Sequence, residues 1–62
     1  MQDKKEEARE AIKGVIVLML EEEARDVRAM WHSTALGGLD IYNTLTGEDL
    51  TINELVKEVK DT

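Results

Sequence analysis

The sequence predicts a mainly α protein that assembles as a helical homo-oligomer. It should hold a long N-terminal helix (about 3–36), a short extended segment or small hairpin (about 41–50) and a short C-terminal helix (about 52–60). Three observations carry this expectation. Apolar residues recur at three- and four-residue steps through the first half, Thr51 opens a strong helix-start signature, and no staple is available to a chain of 62 residues. At this length the entropy of ordering, about 1.5 kcal/mol per residue, nearly cancels what burial returns. There is no cysteine for a disulfide, and one histidine without a thiol cannot make an ordinary structural zinc site. Oligomerisation is the remaining device, so residues 1–62 read as one small domain completed by a second copy, a dimer being the simplest case.

The first helix starts among strong helix formers. From Asp3 to Lys13 the chain is Ala, Glu, Lys and Arg with Ile12, and Asp3 with Glu6 three residues later suits a capped first turn. Opposite charges at helical spacing, Glu6 with Arg9 and Glu10 with Lys13, add a few tenths of a kcal/mol each. Gly14 and the apolar run Val15–Leu20 admit three readings: one continuous helix, a turn at Lys13–Gly14, or a buried strand over 15–20. The continuous helix is preferred, because Ala8, Ile12, Val15, Ile16 and Met19 keep helical spacing with no turn dipeptide between them.

Carried onward at 100° per residue, that helix places Val27, Met30 and Trp31 on the same stripe, but it also brings Glu22, Glu23 and Asp26 into it. Carboxylates in an apolar seam are costly unless solvated or paired. The expected oligomer interface is therefore Ile12, Val15, Ile16, Met19, Val27, Met30 and Trp31, with Glu21, Glu22, Glu23 and Asp26 as an acidic patch open to a partner. His32 falls opposite the stripe and reads as a surface side chain. Gly37-Gly38 reads as the helix stop.

After the stop, Leu39 to Leu45 alternates loosely and contains β-branched and aromatic residues, and Thr46-Gly47-Glu48-Asp49 reads as a turn, which together give the extended segment. Thr51-Ile52-Asn53-Glu54 is a capping box, with Leu50 and Leu55 as its hydrophobic staple. Ile52, Leu55, Val56 and Val59 line one face of the helix that follows, which is too short to stand alone and must dock.

Two local resemblances concern function and shape. Glu6-Glu7 followed by Glu23-x-x-Asp26, within Glu22-Glu23-Ala24-Arg25-Asp26-Val27, resembles the paired carboxylates with which all-α nucleoside triphosphate pyrophosphatases of the MazG type hold magnesium. The resemblance implies Mg²⁺-assisted phosphate chemistry, with the two pairs on separate antiparallel helices and a turn at Gly14. Ile41-Tyr42-Asn43-Thr44-Leu45-Thr46, then Thr51-Ile52-Asn53-Glu54-Leu55, is similar to a stretch of the N-terminal domain of polyhydroxyalkanoate accumulation regulators. That likeness implies a strand, a turn and a capped helix, and the basic segment preceding the stretch in those regulators is missing here.

Charge and composition bound the function. Fourteen acidic residues against eight basic give a formal net charge of -6, which repels nucleic-acid phosphates and anionic lipid. The apolar run falls far short of the ~20 residues that span a bilayer, and its acidic flanks do not suit a signal peptide, so a cytoplasmic protein is expected. No phosphate-cradling glycine loop or nucleophile elbow is present and no nucleophilic triad is supported, so neither catalysis nor a cofactor is expected. The leading expectation is a small acidic interaction module that self-associates and binds or inhibits a larger protein with a basic surface. The alternatives are an acidic mimic of nucleic acid, using Glu21, Glu22, Glu23, Asp26, Glu48 and Asp49 against a DNA- or RNA-binding protein, and a magnesium-dependent pyrophosphatase-like fragment.

Overall fold

A computed structural model describes residues 4–61. The chain is mainly helical, with α1 at Lys4–Glu21, α2 at Arg25–Thr46 and α3 at Ile52–Lys60, and no strand among the described residues. The two long helices form an antiparallel hairpin, and α3 folds back across one side of it. Asp3, the expected cap of the first helix, lies outside the described residues.

Helix α1 runs without interruption through Gly14 and Val15–Leu20, in agreement with the helical reading of that run. The single long helix over 3–36 is not formed: the chain turns at Glu22–Ala24. No turn-forming residue stands there. The amide of Glu22 reaches the Met19 carbonyl at 3.4 Å, Ala24 takes an extended conformation, and its carbonyl accepts from Arg28 at 2.9 Å to begin α2. The cause is tertiary. Ile12, Ile16 and Met19 on α1 match Ala35, Leu39 and Tyr42 on α2, each trio spaced by four and then three residues, and the two stripes can bury each other only if the chain reverses between them. The reversal also removes Glu22, Glu23 and Asp26 from the seam, where a continuous helix would have placed them.

Gly37-Gly38 does not end a helix. Both glycines lie inside α2, and Gly38 allows close approach of the helices, since a Cβ there would stand 3.3 Å from Cγ1 of Ile12. The extended segment expected over 41–50 is likewise absent: residues 41–46 are the last turns of α2, and 47–51 are a loop. Tyr42 completes the buried stripe and is only 3% exposed, so packing overrides the strand preference of its neighbours. The threonines there adapt by bonding back one turn, Thr44 to the Asp40 carbonyl at 2.8 Å and Thr46 to the Tyr42 carbonyl at 2.7 Å. Gly47 stops α2 in the left-handed conformation, φ 73°, with its amide on the Asn43 carbonyl at 2.9 Å.

The capped helix α3 forms over the expected residues. The Thr51 hydroxyl accepts from the Glu54 amide at 3.3 Å, and Lys57 and Lys60 occupy the last turn, where the helix dipole favours cations. Leu50 and Leu55 are buried together with the two stripes, and Ile52, Val56 and Val59 pack against them. No helix among the described residues is long and apolar enough to cross a membrane.

Candidate functional site

The two sides of the hairpin differ. On one, α3 is tied down by charge and by a side-chain clamp. Arg9 of α1 pairs with Glu58 of α3, and Lys13 bridges Glu10 at 3.2 Å and Glu58 at 3.5 Å. Lys5 pairs with Glu48, whose other carboxylate oxygen accepts from the Tyr42 hydroxyl at 3.1 Å. Hydrogen bonding from Arg9 holds the Glu58 carboxyl below its ordinary value against the opposing effect of desolvation, and Lys5 does the same for Glu48. The Arg9 guanidinium is held up in turn by Glu58, and the Lys13 ammonium first by Glu10 and then by Glu58. The Asn43 side chain clamps the loop, donating to the Leu50 carbonyl and accepting from the Leu50 amide, both at 2.9 Å.

On the opposite side the described residues provide no such cover. There the N-terminal half of α1 and the C-terminal half of α2 enclose an apolar groove of about 430 Å³, lined by Ala8, Ala11, Gly38, Ile41 and Leu45 with Ile12 and Tyr42 at its base and Lys4 and Lys5 at one end. Small residues on α1 make the groove, because alanine fills little of the space beside the flanking α2 side chains. Ile41 and Leu45, one turn apart, are 63% and 80% exposed. At 100° per residue the same side continues along the hairpin to Leu18 and Met30, which are 46% and 53% exposed.

The residues expected at an oligomer interface fall into two groups. Ile12, Ile16 and Met19 are buried inside the chain's own core, Val15 and Trp31 pack partly buried against it, and Val27 is half-buried. Met30 alone among them is fully on the surface. The acidic patch is brought together at the hairpin tip, with Glu21, Glu23 and Asp26 exposed and Glu22 half-buried, its carboxylate accepting from the Glu23 amide at 3.2 Å. None of the ion pairs among the described residues involves the tip. Glu48, expected in a wider acidic surface, is instead tied to Lys5 and Tyr42, and His32 is exposed.

The carboxylates of the pyrophosphatase-like pattern are not assembled within one chain. Glu6 and Glu7 lie in the first turn of α1, Glu23 and Asp26 beyond its last, and 18 helical residues span ~27 Å. The described residues hold no group of three or more His, Asp or Glu able to take a metal ion. Sequence reasoning missed Ala8, Ala11, Gly38, Ile41 and Leu45 as a surface. Their signal was the Ile41–Leu45 spacing of four, which becomes visible only when residues 41–46 are read as helix. Comparison with protein-family models, with curated proteins and with solved structures finds no match to this chain.

Proposed function

We propose that the chain is a non-enzymatic protein-protein interaction module that self-associates and engages a larger protein partner. The observation that carries this reading is the uncovered groove between α1 and α2, with Ile41 and Leu45 left in solvent beside it. Contiguous exposed apolar surface on a small domain marks an interaction site. The chain does not lack means to cover a face: it closes the other side of the same hairpin with α3, ion pairs and a hydrogen-bonded loop. Burial of the open side against another protein adds the apolar area that a chain of 62 residues is short of.

The acidic tip gives the interaction its sign. Glu21, Glu22, Glu23 and Asp26 on a chain of net charge -6 favour a larger partner with a basic surface and disfavour nucleic acid or anionic lipid. Sedimentation equilibrium tests the self-association. The wild-type chain should exceed its monomer mass at micromolar concentration, and Ile41→Glu with Leu45→Glu should return it to monomer while the helical circular dichroism signal stays. A wild-type monomer throughout, or a double variant that associates as before, defeats the reading. The same variant used as bait should lose any larger partner that the wild-type chain captures.

A further inference from the structure

We infer that the open side of the hairpin is a two-fold interface on which a second copy docks antiparallel, α1 against α1. Leu18 of each copy then fills the Ala8–Ala11 end of the groove in the other, and Lys4 of each stands beside Glu22 of the other. This deepens the self-association proposed for the same surface and rests on it.

Three features of the chain select that occupant and that orientation. Lys4, Ala8, Ala11, Val15 and Leu18 on α1, with Glu22 just past its end, follow at alternating steps of four and three, so they form one seam along the open side, Val15 partly buried at its inner edge. The seam runs from cation through small and then large apolar residues to anion. Turned end over end about its midpoint it complements itself: Lys4 meets Glu22, Ala8 meets Leu18 and Ala11 meets Val15. Such self-complementarity is what an isologous two-fold contact requires.

Helix α2 repeats the relation at the same level. Met30 and Leu45, then Thr34 and Ile41, are symmetric about Gly37-Gly38. Gly38 lies against Ile12, near the midpoint of the α1 seam, so one axis serves both helices. The groove therefore sits at one end of the face, and the exposed Leu18 and Met30 that would enter its twin sit at the other.

Charge decides against the parallel arrangement. Two copies laid parallel would bring their Glu21–Glu23 tips together, whereas the antiparallel arrangement sets Lys4 of each copy beside the tip of the other. With a net charge of -6 on each chain, keeping the two acidic tips apart lowers the repulsion between copies.

The chain has no cysteine, so single introduced thiols report cleanly. Ala8→Cys and Leu18→Cys variants, both at exposed positions, would be mixed, oxidised mildly and resolved by intact mass. In the antiparallel register the two positions face each other across the interface. Each lies ten residues from its own copy along the seam, about 15 Å, beyond the ~7 Å between Cα atoms that a disulfide can bridge. The mixed disulfide should dominate, and the Leu18→Cys homodisulfide should be scarce. A dominant homodisulfide at either position overturns the antiparallel register. In sedimentation, Lys4→Glu and Glu22→Lys should each weaken the dimer and their combination should restore it; absence of restoration also overturns the register. A wild-type monomer at every concentration removes the underlying self-association, whereas a wild-type dimer that yields homodisulfides removes the orientation alone.

Discussion

At the scale of single residues, the glycines separate propensity from geometry. A Cβ at Gly14 would meet nothing within 4 Å, and the residue is exposed in the middle of α1. Gly14→Ala should therefore raise unfolding stability by about 1 kcal/mol, the helix-propensity difference, read as a higher urea midpoint at unchanged slope. Gly38→Ala should gain less, because its new methyl stands 3.3 Å from Ile12 Cγ1 and the isoleucine must shift. Gly47 is the opposite case, since its φ of 73° is one that an L side chain resists. Gly47→Ala should lower stability by roughly 1–2 kcal/mol and fray the end of α2, seen as faster amide exchange at Asn43 through Gly47.

At the scale of elements, α3 depends on its cap and its clamp more than on its length. Nine residues are too few for a helix in isolation, so the Thr51 cap, the buried Leu55 and the loop set by Asn43 must act together. Thr51→Ala should cost about 1 kcal/mol. Asn43→Ala should cost about 1–3 kcal/mol, because it leaves both the Leu50 amide and carbonyl without their partner. Both losses should appear in denaturant titration, with the chemical-shift change concentrated in residues 47–60. The limits of the capped helix were legible because its signature is local: four consecutive residues state where it starts. The end of α2 was not, because Ile41 to Leu45 has the composition of a strand and becomes helical only to bring Tyr42 into line with Ala35 and Leu39.

At the scale of the whole molecule, α3 and the loop before it are tied to the hairpin through two carboxylates, and the tie responds to acid. Glu48 and Glu58 are held below the ordinary glutamate value of 4.5 by Lys5 and Arg9. A carboxyl lowered in the folded state contributes stability that is present above its unfolded value and is lost as pH falls through the lowered folded value. The fold should thus be constant from neutral pH down to the glutamate range and weaken below it. The raised Lys13 works at the other limit, contributing below its ordinary 10.5 and losing that contribution as pH rises through the higher folded value. Urea titrations across the acid range should show the fall, and Glu58→Gln should flatten it. Because these groups are partly exposed, the wild-type stability should also drop with added salt. An acid profile identical in wild type and Glu58→Gln would show that this ion pair has no part in it.

The sequence by itself determined the helical class, the limits of α3 and the α1 stripe of Ile12, Ile16 and Met19, because propensity, capping and periodicity are properties of neighbouring residues. It also held a sign of the reversal, since Glu22, Glu23 and Asp26 could not share a dry seam with that stripe. Only the tertiary structure decided that the answer to this conflict was a turn at 22–24, with the stripe buried inside one chain, and that the open surface was the other side of the hairpin. The reason is one of magnitude. Helix formers such as Glu22, Glu23 and Ala24 resist a turn by tenths of a kcal/mol each, whereas burying a single large apolar side chain is worth about 1.5–3 kcal/mol, so the partner stripe chooses where the chain folds back.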